Sequence, residues 1–483
     1  MNKTIRLPRS TPEAQGISSA AILRLVEALE EDGKTQLHSI MIVRHGHVAA
    51  EGWWAPYAPE HKHMLYSLSK SFTSTAIGFA VHEGLLTVDD PVLKFFPEQA
   101  PRRPGENLKG MTVKHLLSMN TGHDVDTTGS VTNKRDWVKA FLALPVEHAP
   151  GSKFVYNTAA TYMLSAIIQK VTGQTLVEYL TPRLFEPLEF KEPVWETCPM
   201  GINTGGFGLN IRTEEIARFG QLYLQNGEWQ GKQIIPAGWV DEATTAWSDN
   251  SANENPDWAQ GYGYQFWRSR HNAYRGDGAF GQYCLVLPQQ DAVLAITAGT
   301  AEMQSVLDRI WKYLLPAFSA EPLPEDIESL TLLRAKLDCL EIPEPVGMLE
   351  GPLEGQVSGK VFAFEPNAMH LKRVKLDFAT DGVKLTVVGG GKKRIVELGR
   401  GAYKRGETTL FYGWPYVFPP YKAASAGVWL NETTYLAKII LYETPYIHTF
   451  TFDFSGDEVK VQSQVNVDMG GRTEGPELVG KAG

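Results

Sequence analysis

The chain is short of cysteine, with three in 483 residues: Cys198, Cys284 and Cys339. They lie far apart and no C-x-x-C occurs, so neither a disulfide framework nor a cysteine-based metal site is expected, and a reducing, cytoplasmic compartment fits. Basic residues are outnumbered: 46 Lys and Arg against 55 Asp and Glu give a net charge of -9. Phosphate neutralisation needs a basic face, so this balance argues against nucleic acid as a main partner. Long apolar runs are missing too. No window of about 18 residues is apolar enough to span a bilayer. The opening Met1-Asn2-Lys3-Thr4-Ile5-Arg6-Leu7-Pro8 has no apolar h-region of a secretory signal. No Gly-x-Ser-x-Gly is present, which argues against the strand-turn-helix nucleophile elbow of an α/β-hydrolase.

What is there reads as an ordinary globular balance, 43% hydrophobic and 21% charged. The length is too great for one core of usual size, so two domains are expected. Residues 1–317 mix helical and strand patterns. Ser18 to Glu31 places Ile22, Leu25, Val26 and Leu29 on one helix face, and Ser39 to Arg44 and His47 to Trp54 flank a His45-Gly46 turn as a hairpin. Gly261 to Arg268, Gln282 to Leu287 and Ala292 to Thr297 read as strands, and Met303 to Leu315 as a closing helix. Strands at both ends with helices between them predict one sheet built from N- and C-terminal segments and packed on helices. Residues 318–349 are proline-punctuated and read as a linker carrying a short helix from Asp326 to Cys339. Residues 350–483 alternate with period two around turns such as Thr380-Asp381-Gly382 and Ser455-Gly456-Asp457, predicting an antiparallel barrel or sandwich.

The stretch with chemistry in it is Tyr66-Ser67-Leu68-Ser69-Lys70, at the entry to a helix that stops at Gly84. Residues three apart share a helix face, so the Ser67 hydroxyl and the Lys70 amine meet. A serine is a poor nucleophile unless a base takes its proton, and a lysine serves as that base only where burial or nearby positive charge depresses its pKa. The helix N-terminus adds backbone N–H groups where an oxyanion would form. Two later segments keep this one company. Phe154-Val155-Tyr156-Asn157-Thr158 follows Pro150-Gly151 and puts Tyr156 at the mouth of a helix, as a phenolate-like base or a proton relay. Gly276-Asp277-Gly278-Ala279 precedes a strand, and glycines on an edge strand let a substrate carbonyl approach a backbone N–H.

Together these segments resemble the serine β-lactamase and penicillin-binding-protein superfamily, closest to the class C β-lactamases and the family VIII-type esterases, over about residues 10 to 315. Ser67-x-x-Lys70 and Tyr156-Asn157-Thr158 match that family's motifs, with Thr158 where an asparagine is usual; Gly205-Gly206-Phe207-Gly208 and Thr213 to Gly220 also fit its pattern. The resemblance implies an α+β fold: an antiparallel sheet flanked by helices, with a helical insertion. Carried over, Ser67 is acylated, Lys70 and Tyr156 move its proton, and the N–H groups at Ser67 and near Gly278 and Ala279 receive the oxyanion. The third motif departs from the family: a Lys or His belongs there to hold a substrate carboxylate, and Asp277 would repel one. Arg275 and Arg270 are near enough in sequence to compensate. The departure favours a neutral ester or amide over a β-lactam. The C-terminal part resembles the lipocalin-like barrel appended to some members.

Other features have plainer readings. Ser69 is a second relay hydroxyl or a packing and capping group; Asn157 is placed to cap the following helix, with Thr158 facing substrate. His45/His47 and His61/His63 are spaced as i, i+2 pairs but have no third ligand spaced for zinc, and turns or surface explain them. Gly389-Gly390-Gly391-Lys392-Lys393 lacks the strand-loop-helix setting of a phosphate loop and reads as a hairpin turn. Trp414, Tyr416, Phe418 and Tyr421, among Pro415, Pro419 and Pro420, read as an aromatic core or a domain interface, with a cover over a ligand as the alternative. The expected protein is a serine hydrolase of small esters or amides that uses no metal or organic cofactor. A β-lactamase or D-alanyl peptidase on the same machinery and a non-catalytic binding protein on the same fold are the rivals.

Overall fold

The computed structural model describes residues 6–31, 33–413 and 415–483, so Trp414 and the first five residues lie outside it. The chain divides into two compact units, one of residues 1–52 and 62–339, the other of residues 53–61 and 340–483.

The first unit is built on an antiparallel sheet. Its strands are β1 (Leu37–Arg44), β2 (His47–Trp53), β3 (Trp267–Arg268), β4 (Tyr274–Gly278), β5 (Gln282–Leu287) and β6 (Ala292–Ala298), in the order β2-β1-β6-β5-β4-β3. The N- and C-terminal segments meet where β1 pairs with β6, Ile40 opposite Ile296 and Ile42 opposite Leu294. Every residue of β1, β5 and β6 is buried, the mark of strands covered on both faces. The helix Ser19–Glu31 (α1) buries Ile22, Leu25, Val26 and Leu29, as the spacing requires. The hairpin turn holds His45 at φ 49 and Gly46 at φ 74, the left-handed pair that a tight two-residue turn needs.

The helix Ser69–His82 (α2) departs from a one-sided pattern. Ser69 to Ala80 are all buried, because α2 runs through the interior between the helix Thr158–Thr172 (α3) and strand β4. Small and hydroxylated residues suit that place, and most of their hydroxyls are bonded internally, the Ser74 hydroxyl being the exception. Thr73 donates to the Gly205 carbonyl at 2.8 Å, and the Thr75 and Tyr223 hydroxyls lie 2.8 Å apart. Phe72 is stacked on Phe219 at 3.9 Å between ring centres; Phe219 belongs to the helix Thr213–Leu224 (α4), which packs on β1, β5 and β6. Burying such a ring contributes about 1.5–3 kcal/mol. The helix Ile327–Asp338 (α5) buries Leu333 and packs against α1 within this first unit.

Two local expectations change. Gly261 to Arg268 is not a strand beyond Trp267–Arg268. Gly261 and Gln265 take positive φ, and the Gln265 N–H bonds to the Leu117 and Gly263 carbonyls, so the segment folds into a turn. His63 is not on the surface: it sits on a two-residue strand paired with Leu209–Ile211, 3% exposed, with its Nε2 2.9 Å from His38 Nδ1.

The second unit is an antiparallel barrel. Its strands are β7 (Val361–Phe364), β8 (Leu371–Ala379), β9 (Gly382–Gly389), β10 (Lys392–Arg400), β11 (Lys404–Thr408), β12 (Tyr421–Trp429), β13 (Thr434–Ile440), β14 (Ile447–Ser455), β15 (Glu458–Val465) and β16 (Leu478–Ala482). They run β10-β9-β8-β7-β16-β15-β14-β13-β12-β11, and a short parallel pairing of Gly399–Arg400 with Ala426–Gly427 joins β10 to β12 and closes a nine-stranded ring. The triple-glycine segment is the β9–β10 turn, with Gly390 and Gly391 at positive φ. No helix among the described residues is long and apolar enough to cross a membrane.

Candidate active site

Ser67 lies in a 3-10 turn, Tyr66–Leu68, that runs directly into α2. Tyr66 before it takes φ 49, a left-handed conformation that a tyrosine adopts only under constraint. The turn is held by Ser69, whose hydroxyl donates to the Tyr66 carbonyl at 2.6 Å and accepts from the Leu209 N–H at 3.1 Å. Ser69 is thus occupied with structure, and it is the packing alternative that its geometry fits.

One turn along, Lys70 points back at Ser67. Its Nζ is 2.9 Å from Ser67 Oγ, 3.0 Å from Thr158 Oγ1 and 2.7 Å from the Gly206 carbonyl oxygen. Lys70 is 1% exposed. Burial lowers its pKa to about 7, against the opposing pull of the Asp126 and Asp277 carboxylates. Ser67, Tyr156, Thr158 and Ala279 are half-exposed, whereas the Lys70 side chain is sealed.

Tyr156 arrives from the start of α3. Asn157 caps that helix by accepting from the Ala159 N–H at 3.2 Å, and it also accepts from the Thr127 hydroxyl at 2.9 Å. This places the Tyr156 ring 4.8 Å from Lys70 Nζ. The ring is stacked on Trp267 at 5.1 Å and meets Tyr262 edge-on at 6.0 Å. Burial, and then the nearby Asp277 charge, push the phenol far above its ordinary pKa. This favours the neutral phenol over the phenolate.

Two glycines carry backbone to the site. A side chain on Gly206 would stand 2.7 Å from Thr158 Cγ2 and 2.9 Å from the Thr158 carbonyl, so only glycine brings the Gly206 carbonyl onto Lys70. On β4, a Cβ at Gly278 would collide with the Leu65 carbonyl and sit 3.1 Å from the Ser67 nitrogen. The end of β4 thus runs against the Ser67 turn, with Ala279 next in line. Phe280, like Tyr66, is left-handed (φ 69), and the two rings meet edge-on at 5.3 Å.

The third motif holds a charge pair. Asp277 is 6% exposed and accepts from Arg275 Nε at 2.9 Å. Arg275 is fully buried; it also bonds the Asp257 carbonyl at 2.7 Å and the Ser269 hydroxyl, and lies 4.2 Å from the Trp258 ring centre. Arg270 is ion-paired with Asp257 at 2.7 Å and with Asp308 at 2.5 Å. The sequence suggested both arginines as substitutes for the missing cation; both are engaged within the protein. Among the described residues no group of His, Cys, Asp and Glu side chains is placed to hold a metal ion. Cys198, Cys284 and Cys339 are free thiols, and His123 is buried, bonded to Thr121 at 2.8 Å and packed on Phe141.

Sequence reasoning missed the Gly206 carbonyl, the Asp126 carboxylate that accepts from the Thr158 N–H at 3.2 Å, and the Trp267 stack. The Gly205-Gly206 doublet was the available signal for the first; the others are long-range contacts without a local pattern.

A family model described as Beta-lactamase matches residues 22–315. A 6-aminohexanoate-dimer hydrolase of Paenarthrobacter ureafaciens is 27% identical over 298 residues, 56% of this chain and 74% of that protein. Among solved structures, EstCE1, a hydrolase with promiscuous acyltransferase activity, superposes with a TM-score of 0.51 at 16% identity, over 60% of this chain and 98% of that one. SurE bound to D-Leu gives a TM-score of 0.51 at 17% identity, over 88% of this chain and 97% of that one. At such identities the structural likenesses establish the fold, and the family match spans the segment that carries Ser67, Lys70, Tyr156 and Gly278. The chain is a hydrolase and belongs to the beta-lactamase family.

Proposed function

We propose that the protein cleaves small ester or amide substrates through an acyl-Ser67 intermediate. The observation that carries this is the Lys70 amine, sealed at a pKa near neutrality, 2.9 Å from Ser67 Oγ. A neutral amine has two hydrogens and one lone pair. The Gly206 carbonyl, which only accepts, takes one N–H and Thr158 Oγ1 takes the other, so the lone pair faces the Ser67 O–H. Lys70 takes that proton as Oγ bonds to the substrate carbonyl carbon. The carbonyl oxygen becomes an oxyanion against the Ser67 and Ala279 N–H groups. Collapse breaks the bond to the alcohol or amine leaving group, which receives the proton from Lys70 through the Tyr156 hydroxyl. Water, deprotonated by Lys70, then attacks the acyl carbonyl carbon; the bond to Ser67 Oγ breaks, Oγ takes back the proton from Lys70, and the acyl group leaves as a carboxylic acid.

The substrate class follows from the third motif. Asp277 faces the site and Arg275 is bonded to it, so a substrate carboxylate gains no free cation there. The relative named as a 6-aminohexanoate-dimer hydrolase supports a substrate other than a β-lactam. The test compares the protein and its Ser67→Ala variant on a short-chain p-nitrophenyl ester and a chromogenic cephalosporin. Ester turnover that vanishes in the variant, by about three orders of magnitude or more, is expected, with little cephalosporin turnover. Equal turnover of the cephalosporin would overturn the substrate class; ester turnover surviving in Ser67→Ala would overturn the nucleophile.

A further inference from the structure

The barrel of the second unit encloses a cavity of about 150 Å3. Its wall is aliphatic and aromatic, with Leu385, Val387, Phe450, Phe452 and Val461 among its members. Among the described lining residues a single side chain is charged, that of Arg394.

Arg394 stands where an apolar residue belongs. On β10 the inward positions alternate as Arg394, Val396 and Leu398, all buried, and Lys392 and Lys393 before them are exposed. Across the ladder Arg394 faces Val387, one rung from the Val396–Leu385 pair. It is 5% exposed. Its Nη1 donates to the Gly389 carbonyl at 2.9 Å and the guanidinium lies 3.8 Å from the Tyr412 ring centre. Among the described residues no carboxylate is within ion-pair distance of it. A guanidinium cannot shed its proton, so the charge is permanent, and an isolated charge in an apolar wall calls for an anion. Gly389 satisfies one of five N–H donors; a carboxylate takes two at once in the parallel fork geometry.

We infer that the barrel binds a small monocarboxylate with an apolar tail, the carboxylate on Arg394 and the tail among Leu385, Phe450, Phe452 and Val461. A dry cavity of this size accommodates a benzene-sized group, about six carbons. A six-carbon acid such as hexanoate matches it, and long-chain fatty acids exceed it. The site lies wholly in the second unit and is independent of the chemistry at Ser67.

The experiment is isothermal titration of the full-length protein with hexanoate and with hexan-1-ol. Hexanoate is expected to saturate one site per chain, hexan-1-ol to bind at least tenfold more weakly, and Arg394→Met to weaken hexanoate at least tenfold while leaving ester turnover unchanged. Val461→Phe, which fills the cavity and keeps the cation, is expected to lose hexanoate too; it decides the matter if Arg394→Met does not fold. Protein labelled at Ser67 by a fluorophosphonate is expected to titrate as before. No saturable hexanoate binding, equal binding by a folded Arg394→Met or Val461→Phe, or binding lost on labelling Ser67 would each overturn the inference.

Discussion

Arg275 and Asp277 stand two residues apart on the same side of β4, joined at 2.9 Å with both side chains buried, immediately before the glycine that abuts Ser67. The pair fixes the charge at the third motif from inside the protein, and it ties stability to the same residues that shape the site.

Asp277→Asn removes the counter-charge of a guanidinium that is 0% exposed. The variant is expected to lose about 3–5 kcal/mol of stability, the usual result of breaking one side of a buried pair. Replacing both partners, Arg275→Met with Asp277→Val, should recover most of that loss. Urea denaturation of the three proteins checks it, and a loss below about 1 kcal/mol in Asp277→Asn would contradict the pairing as described.

The pH dependence follows from the sign of the Lys70 shift. Burial favours the neutral amine, so its pKa falls to about 7 and the basic form accumulates as pH rises through that value. On the proposed mechanism kcat/KM climbs about tenfold per pH unit below 7 and levels off above it. Stability moves the same way: between pH 7 and the ordinary lysine value of 10.5 the unfolded chain holds a proton that the folded chain has lost, so folding gains with rising pH. A pH–rate profile flat from 5 to 8 would remove Lys70 from the role of base.

Gly206→Ala tests the acceptor rather than the base. The new methyl meets Thr158 at 2.7 Å, which pushes the Gly206 carbonyl away from Lys70. Turnover is expected to fall about a hundredfold, the scale associated with a displacement of about 1 Å at a reacting group. Steady-state kinetics with a p-nitrophenyl ester reads the loss, which should appear in kcat more than in KM.

In the second unit, Glu354 accepts a bidentate pair of bonds from Arg400, both at 2.9 Å, and a third from Trp429 Nε1 at 2.9 Å. Glu354→Ala is expected to destabilise the barrel by about 1–3 kcal/mol, seen as an earlier unfolding transition in the full-length protein, with ester turnover unchanged at temperatures below it.

Local pattern made much of this legible. Ser67 and Lys70 meet because three residues on a helix are one turn, and Asn157 caps because its position before an apolar run is a capping position. The alternation of Val383, Leu385 and Val387 exposed the barrel strands in the same way. The turn at Gly261–Arg268 was not legible, since aromatic residues there serve the Tyr156 stack instead of a ladder. Nor was the state of Arg275: a charge two residues from Asp277 reads as available until the fold buries both. The burial of His63 against His38 likewise depends on a pairing with Leu209–Ile211, nearly 150 residues downstream.

The meeting of β1 with β6 has a consequence for the order of assembly during synthesis. Ser67 and Lys70 leave the ribosome early, yet Gly278 and Ala279 follow more than 200 residues later, and the central strand β6 later still. At about 5–20 residues per second, the interval is roughly 10–40 s. Throughout it the serine has its helix but neither the strand that flanks it nor the sheet that carries that strand. On the proposed mechanism the nascent chain is consequently inert toward acylation until the first unit is nearly complete, and a truncated product ending before residue 279 would carry the Ser-x-x-Lys segment without the proposed oxyanion site.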